Sequence, residues 1–219
     1  MSFRYDVQSG FLSEDECGTL IDYFTPMLKP SEVIGDSYRR NSEDVFVDHR
    51  SVADTRVRAI LDGIRARFSE LSGLPAENQE LLTIMRYRPG QRFESHYDAF
   101  TDEADMRVEE LLGGQRVCTF LVCLRRAAEG GTTRFERIDS DVLLSAGDCL
   151  SWWNVDAHGS VYEDSLHAGL SPVSGEKWVL SCWVRAGRHV PVGHHFIESM
   201  LSRLTPDEVR RALATISLQ

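Results

Sequence analysis

The stretch "RVCTFLVCLRRAAEGGTTRFERIDSDVLLSAGDCLSWWN", Arg116 to Asn154, decides the fold. It breaks into short runs rich in β-branched and aromatic residues at 116–124, 132–137, 141–145 and 148–154. Gly130-Gly131 and the polar turn before Gly147 separate them. Such runs read as strands, and none is followed by a helix-length amphipathic segment. Similar runs at 81–88, 158–162, 165–170 and 177–185 extend the pattern in both directions. Many short strands at this spacing predict a β sandwich or jelly roll, and not alternating βαβ units.

Upstream the period changes to 3.6. Ser13-Glu14-Asp15-Glu16 reads as a capping box opening a helix whose apolar positions, Leu20, Ile21, Phe24, Met27 and Leu28, run on to Pro30. A second helix is predicted over 51–71, with Val52, Val57, Ile60, Leu61, Ile64 and Phe68 on one face. Residues 3–8 read as a short strand, and Val45–Val47 as extended. Thr205-Pro206-Asp207-Glu208 is a second capping box, predicting a C-terminal helix. The class is therefore α+β in a single domain: 1–79 N-terminal helices and strand, 80–186 β core, 187–219 C-terminal extension.

The chain has 219 residues, 26% of them charged, with a formal net charge of −10. That length buries a sizeable core without staples. An acidic surface argues against nucleic acid or anionic lipid as a partner. No run approaches the roughly 18–20 apolar residues of a membrane span, and the first residues lack the apolar core of a signal peptide. Cys17, Cys118, Cys123, Cys149 and Cys182 are odd in number and lie mostly in apolar runs, as buried free thiols of a reducing, cytoplasmic compartment do.

Chemistry enters with "RYRPGQRFESHYDAF", Arg86 to Phe100. Residues i and i+2 of a strand share a face, so His96 and Asp98 converge on one point. They suit two cis ligands of an octahedral ion, but any such triplet satisfies this, and by itself it reads as an ordinary polar pair. His49, His158, His189, His194 and His195 have no partner at an interpretable spacing. His167 lies in an apolar run, and Lys177 follows ten residues later. A hairpin turning at Pro172–Gly175 would put both in one sheet. His167 would complete a two-histidine, one-carboxylate set of the kind used by non-haem Fe(II) oxygenases. A lysine facing an apolar core is costly unless it meets an anion, such as the distal carboxylate of a dicarboxylate; at a strand start it is otherwise a surface cation.

Four ordered blocks resemble the Fe(II)/2-oxoglutarate-dependent dioxygenases, in their prolyl 4-hydroxylase branch. They are "MRYRPGQRFESHYDAFTD", "GGQRVCTFLVCL", "EGGTTRF" and "GDCLSWWN…DSLHAGLSPVSGEKWVLSCWVR", together covering about residues 80–186. The resemblance implies a double-stranded β-helix (cupin-like jelly roll) that uses Fe(II), 2-oxoglutarate and O2, with ascorbate as a stimulant. It implies His96, Asp98 and His167 as iron ligands and Lys177 as the partner of the 2-oxoglutarate C5 carboxylate, assisted by Tyr87 and Thr119. Trp183 would line that pocket. Arg116 falls where the family places a substrate-facing arginine, and Arg185 where many prolyl hydroxylases carry a histidine near the substrate. That last departure leaves a peptidyl-proline and a small amino-acid-like or natural-product molecule both open as substrates. Asp98, in place of Gly or Ala, argues against a halogenase.

Two other readings remain: a non-catalytic jelly-roll module that senses metal or 2-oxoglutarate, and a cupin-like hydrolase or isomerase on another divalent metal. The acidic segment 99–114 and the polar segment 35–50, with Arg39 and Arg40, read as lids over the substrate or as solvated loops. The sequence leaves the oligomeric state open.

Overall fold

The computed structural model describes residues 2–31, 40–102, 106, 109–190, 205 and 207. Arg39, His194, His195 and, beyond Thr205 and Asp207, the expected C-terminal helix lie outside the described residues.

Fifteen elements follow in order: β1 (Tyr5–Gln8), α1 (Glu14–Phe24), β2 (Lys29–Pro30), β3 (Glu43–Val47), α2 (Thr55–Ser72), β4 (Leu82–Tyr87), β5 (Phe93–His96), β6 (Arg116–Arg125), β7 (Glu129–Gly130), β8 (Thr133–Phe135), β9 (Ser140–Val142), β10 (Cys149–Trp153), β11 (His167–Gly169), β12 (Pro172–Ser174) and β13 (Lys177–Arg185). The strands form an antiparallel seven-stranded sheet in the order β1-β10-β6-β13-β4-β3-β2 and a four-stranded sheet, β5-β11-β8-β9. A small third pairing joins β12 to β7. Together they make the jelly roll that the strand pattern predicts.

Period-two alternation sorts the large sheet into two faces. On β13, Trp178, Leu180, Cys182 and Val184 join the main core with Leu82, Ile84, Phe120 and Val122. The helices α1 and α2 close this side with Leu20, Phe24, Leu61, Ile64 and Phe68. Phe11, Phe68 and Phe120 stack in series, with ring centroids 5.4 and 4.3 Å apart, and tie α2 to β6. Each of these large apolar side chains contributes about 1.5–3 kcal/mol by leaving water. The opposite set, Lys177, Val179, Ser181 and Trp183 on β13 with Met85 and Tyr87 on β4, faces a cleft between the two sheets.

Three expectations shift. The helix α1 stops at Phe24 instead of running to Pro30, because Pro26 lacks the N–H that would continue it; Met27 is exposed. The helix α2 begins at Thr55, where the Asp54 carboxylate caps Arg56 and Val57 N–H; Val52 is buried ahead of it. His167 and Lys177 do not share a sheet. The chain between them pairs with Glu129–Gly130 instead of turning tightly, so β11 joins the small sheet and β13 the large one. Gly147 is needed where the chain passes α1's entry: at φ 86°, a Cβ there would lie 2.1 Å from the Leu12 carbonyl oxygen. The run 158–162 forms only an isolated bridge, Val161 with Val155.

Candidate active site

β5 and β11 are neighbours, and their register sets His96 directly opposite His167. The His96 Nδ1–H donates to the Glu94 carbonyl at 2.8 Å, and the His167 Nδ1–H donates to the Ser165 carbonyl at 2.9 Å. Each bond fixes the ring so that Nε2 carries the free lone pair. Both Nε2 atoms turn to Asp98, at 3.4 Å from Oδ1 for His96 and 3.7 Å from Oδ2 for His167. One ligand atom from each of the three residues lies within 4.8 Å of the others. Phe93 stacks on the His96 ring at 3.7 Å between centroids.

Asp98 is buried. Burial alone would raise its carboxyl, but His167, His96 and a Thr119 hydrogen bond outweigh that and hold it well below the usual carboxylate range. Burial pushes His167 down to about 4 despite Asp98, so its imidazole is neutral at physiological pH. Two imidazole nitrogens and one carboxylate oxygen form a donor set that fits a non-haem Fe(II) ion with positions to spare.

Lys177 lies across the cleft on the large sheet. It is 7% exposed, and its nearest polar contact is the Thr133 hydroxyl at 3.4 Å. Among the described residues no carboxylate comes within ion-pairing distance. Burial pushes its ammonium down to about 8, with only the Cys123 thiol opposing. The cleft is walled mainly by Met85, Phe93, Leu121, Trp152, Leu170 and Val179. A buried cation without an anion, facing an apolar cleft that ends at three ligand atoms, fits a small dicarboxylate.

The remaining expected site residues divide. Tyr87 and Trp183 line the cleft, and burial raises the Tyr87 phenol to about 12. Thr119 lines it too, but its hydroxyl donates to Asp98 Oδ2 at 2.7 Å and accepts from Asn154 Nδ2 at 2.9 Å. Arg116 and Arg185 do not border the cleft as free cations. Arg116 bonds both Glu80 oxygens, at 2.7 and 2.8 Å, and its guanidinium lies 4.2 Å from the Trp183 ring centre. Arg185 is 1% exposed, where it meets Glu80 at 2.5 Å, Glu109 at 2.6 Å and the Gly114 carbonyl at 2.9 Å. Burial would raise Glu80; the two guanidiniums bring it down to about 2. Both ends of the 99–114 segment are therefore pinned, with Gln115 also bonding the Phe100 N–H and carbonyl. Arg40 is buried against Asp44 at 2.5 Å.

Sequence reasoning missed Glu80, Asn154 and Thr133. Asn154 and Thr133 stand inside the quoted family blocks, and in–out alternation with Phe135 would have flagged Thr133. Glu80 carries no local signal, because its partners lie far along the chain.

Comparison with known proteins agrees with this geometry. The profile of the 2OG-Fe(II) oxygenase superfamily matches residues 82–185. Prolyl 4-hydroxylase 1 of Arabidopsis thaliana is 33% identical over 202 residues, covering 83% of this chain and 69% of that protein. Prolyl 4-hydroxylase 5 of the same plant is 31% identical, covering 82% and 67%. Among solved structures, the viral collagen prolyl hydroxylase of Paramecium bursaria Chlorella virus-1, in its 2OG complex, superposes with a TM-score of 0.65. It is 29% identical and covers 83% of this chain and 96% of its own. A Pseudomonas putida prolyl-4-hydroxylase shares the fold, with a TM-score of 0.59 at 21% identity over 83% of this chain and 92% of its own.

Proposed function

The chain belongs to the 2OG-Fe(II) oxygenase superfamily, and from that premise we propose that it hydroxylates a prolyl residue held within a peptide or protein. The observation that carries the enzyme reading is Lys177, an unneutralised buried ammonium in the same cleft as the His96, Asp98 and His167 ligand atoms. A module that only senses metal has no use for such a lysine.

Fe(II) bound there supplies the coupled chemistry of this family, in which O2 and 2-oxoglutarate are converted with a substrate C–H to succinate, CO2 and an alcohol. The chain's own residues do the rest. His96, Asp98 and His167 would hold the ion by one face. Thr119, anchored by Asn154, keeps the Asp98 carboxylate turned toward both imidazoles. Lys177 would pair with the distal carboxylate of 2-oxoglutarate, with the Thr133 hydroxyl beside it and Tyr87 above the same strand level. Met85, Leu121 and Val179 keep water from the space between.

Charge at the site bears on the substrate. Glu80 and Glu109 neutralise Arg116 and Arg185, so neither guanidinium stands ready for a free α-carboxylate. Phe93, Leu170 and Trp183 offer an apolar wall suited to an uncharged pyrrolidine ring. The names of the relatives, prolyl and collagen prolyl hydroxylases, point the same way. Incubation of the Fe(II) protein with 2-oxoglutarate, O2 and proline-rich peptides should add one oxygen per succinate formed, read by mass spectrometry. Free L-proline should remain unmodified. Oxygen gain on free proline, with none on any peptide, would overturn the substrate assignment.

A further inference from the structure

Among the described residues, nothing satisfies the indole donor of Trp152. It is 2% exposed, and its indole Nε1–H has no hydrogen-bond partner. On β10 it pairs in register with Thr119, the residue that holds Asp98. Its ring lies 4.8 Å from the His167 ring, edge-on, and 5.4 Å from Phe135. The indole packs against Cys123, Val142, Leu144 and Leu150, with Phe3 and Tyr5 partly buried beside them. Trp152 also lines the cleft.

A buried N–H left without an acceptor costs about 1–3 kcal/mol, so its persistence beside a ligand cleft calls for an acceptor that arrives with the ligand. We propose that Trp152 is a positioning residue for the cosubstrate. Its indole N–H donates to an oxygen at the end of 2-oxoglutarate that lies beside His167, while Lys177 takes the far carboxylate. The inference rests on the cosubstrate reading above and adds a second polar anchor, which sets how the keto-acid end is turned. Trp183 also carries an unpaired indole N–H, but Arg116 already packs on its ring.

The test needs no substrate and no turnover. Calorimetric titration of 2-oxoglutarate into Zn(II)-loaded Trp152→Phe protein should give binding about 10- to 100-fold weaker than wild type, the loss expected for one hydrogen bond to a charged acceptor. Affinity for Zn(II) should be unchanged, and the metal-free variant should melt no lower than wild type, since the unmet donor is gone. In wild-type protein labelled with 15N-tryptophan and loaded with Zn(II), the Trp152 indole proton should move downfield on adding 2-oxoglutarate; this reading does not depend on the variant's folding. A change in affinity within twofold, or an indole resonance that stays put while 2-oxoglutarate binds, overturns the proposal. Wild-type protein that fails to bind 2-oxoglutarate at all overturns the cosubstrate reading itself, and this proposal with it.

Discussion

Replacement of Lys177 by methionine keeps most of the side-chain length and deletes the charge. Burial moves the lysine from 10.5 to about 8, and a move of that size is worth about 3 kcal/mol. The sign follows from which form the fold disfavours. The native state penalises the ammonium, so the cost is fully present below about pH 8 and fades as pH rises toward 10.5, where the unfolded chain also loses its proton. At pH 7, metal-free Lys177→Met should therefore be more stable than wild type by about 1–3 kcal/mol, the lower end allowing for water reaching the site. For a chain of this size, each kcal/mol raises the melting temperature by about 2–4 °C. Ligand should act in the opposite sense. With Zn(II) bound and 2-oxoglutarate at 100 times its dissociation constant, wild type gains about 2.7 kcal/mol, whereas the variant gains nothing at that concentration. Thermal melts of both proteins, with and without 2-oxoglutarate, give all four values. A variant that melts lower than wild type without ligand, yet is still stabilised by 2-oxoglutarate, would refute the assignment of Lys177 as a cation kept for an absent anion.

Three further outcomes follow from the neighbouring contacts. Thr119→Val keeps the shape of a buried side chain but removes the donor on Asp98 and the acceptor of the Asn154 amide; Fe(II) affinity measured anaerobically should fall about 10- to 100-fold, and the metal-free variant should lose about 1–3 kcal/mol of stability. Arg185→Ala leaves Glu80 short of one guanidinium and Glu109 without its partner; urea unfolding at pH 7 should show a loss of about 3–5 kcal/mol. Because Glu80 is depressed from 4.5 to about 2, its stabilisation is present above pH 4.5 and is lost as pH falls toward 2, so Glu80→Gln should flatten that part of the acid-unfolding curve.

What the sequence made legible was local. The Ser13 capping box forms with both of its bonds, and every apolar residue assigned to the inner face of α2 is buried. All five cysteines are buried free thiols. His96 and Asp98 are two residues apart, so their convergence needs only a strand and its continuation. The strand runs gave the jelly roll because alternation is a property of neighbours. Sheet membership is not. His167 and Lys177 are ten residues apart, and only the pairing of β12 with β7, more than forty residues upstream, sends them to opposite sheets. The partners of the arginines were illegible for the same reason. Arg116 and Arg185 find Glu80, and Arg185 finds Glu109, across separations of 36 to 105 residues, which no spacing rule reaches.

That separation has a physical consequence for the site. Two of the proposed iron ligands, His96 and His167, belong to the small sheet, through β5 and β11, while Lys177 and Thr119 belong to the large one. Asp98 follows β5 but hydrogen-bonds to Thr119, so it already bridges the two. A dicarboxylate held at one end by the metal and at the other by Lys177 would span the same gap. Without ligand, the cleft carries one unpaired ammonium and, on Trp152, Trp183 and Ser181, unpaired side-chain donors, each a cost to the fold. Binding would repay those of Lys177 and Trp152 and join the sheets at a second place. Cosubstrate should therefore stabilise the protein by more than its contacts with either sheet alone, and the gain should fall most steeply when Lys177, the proposed anchor on the large sheet, is removed.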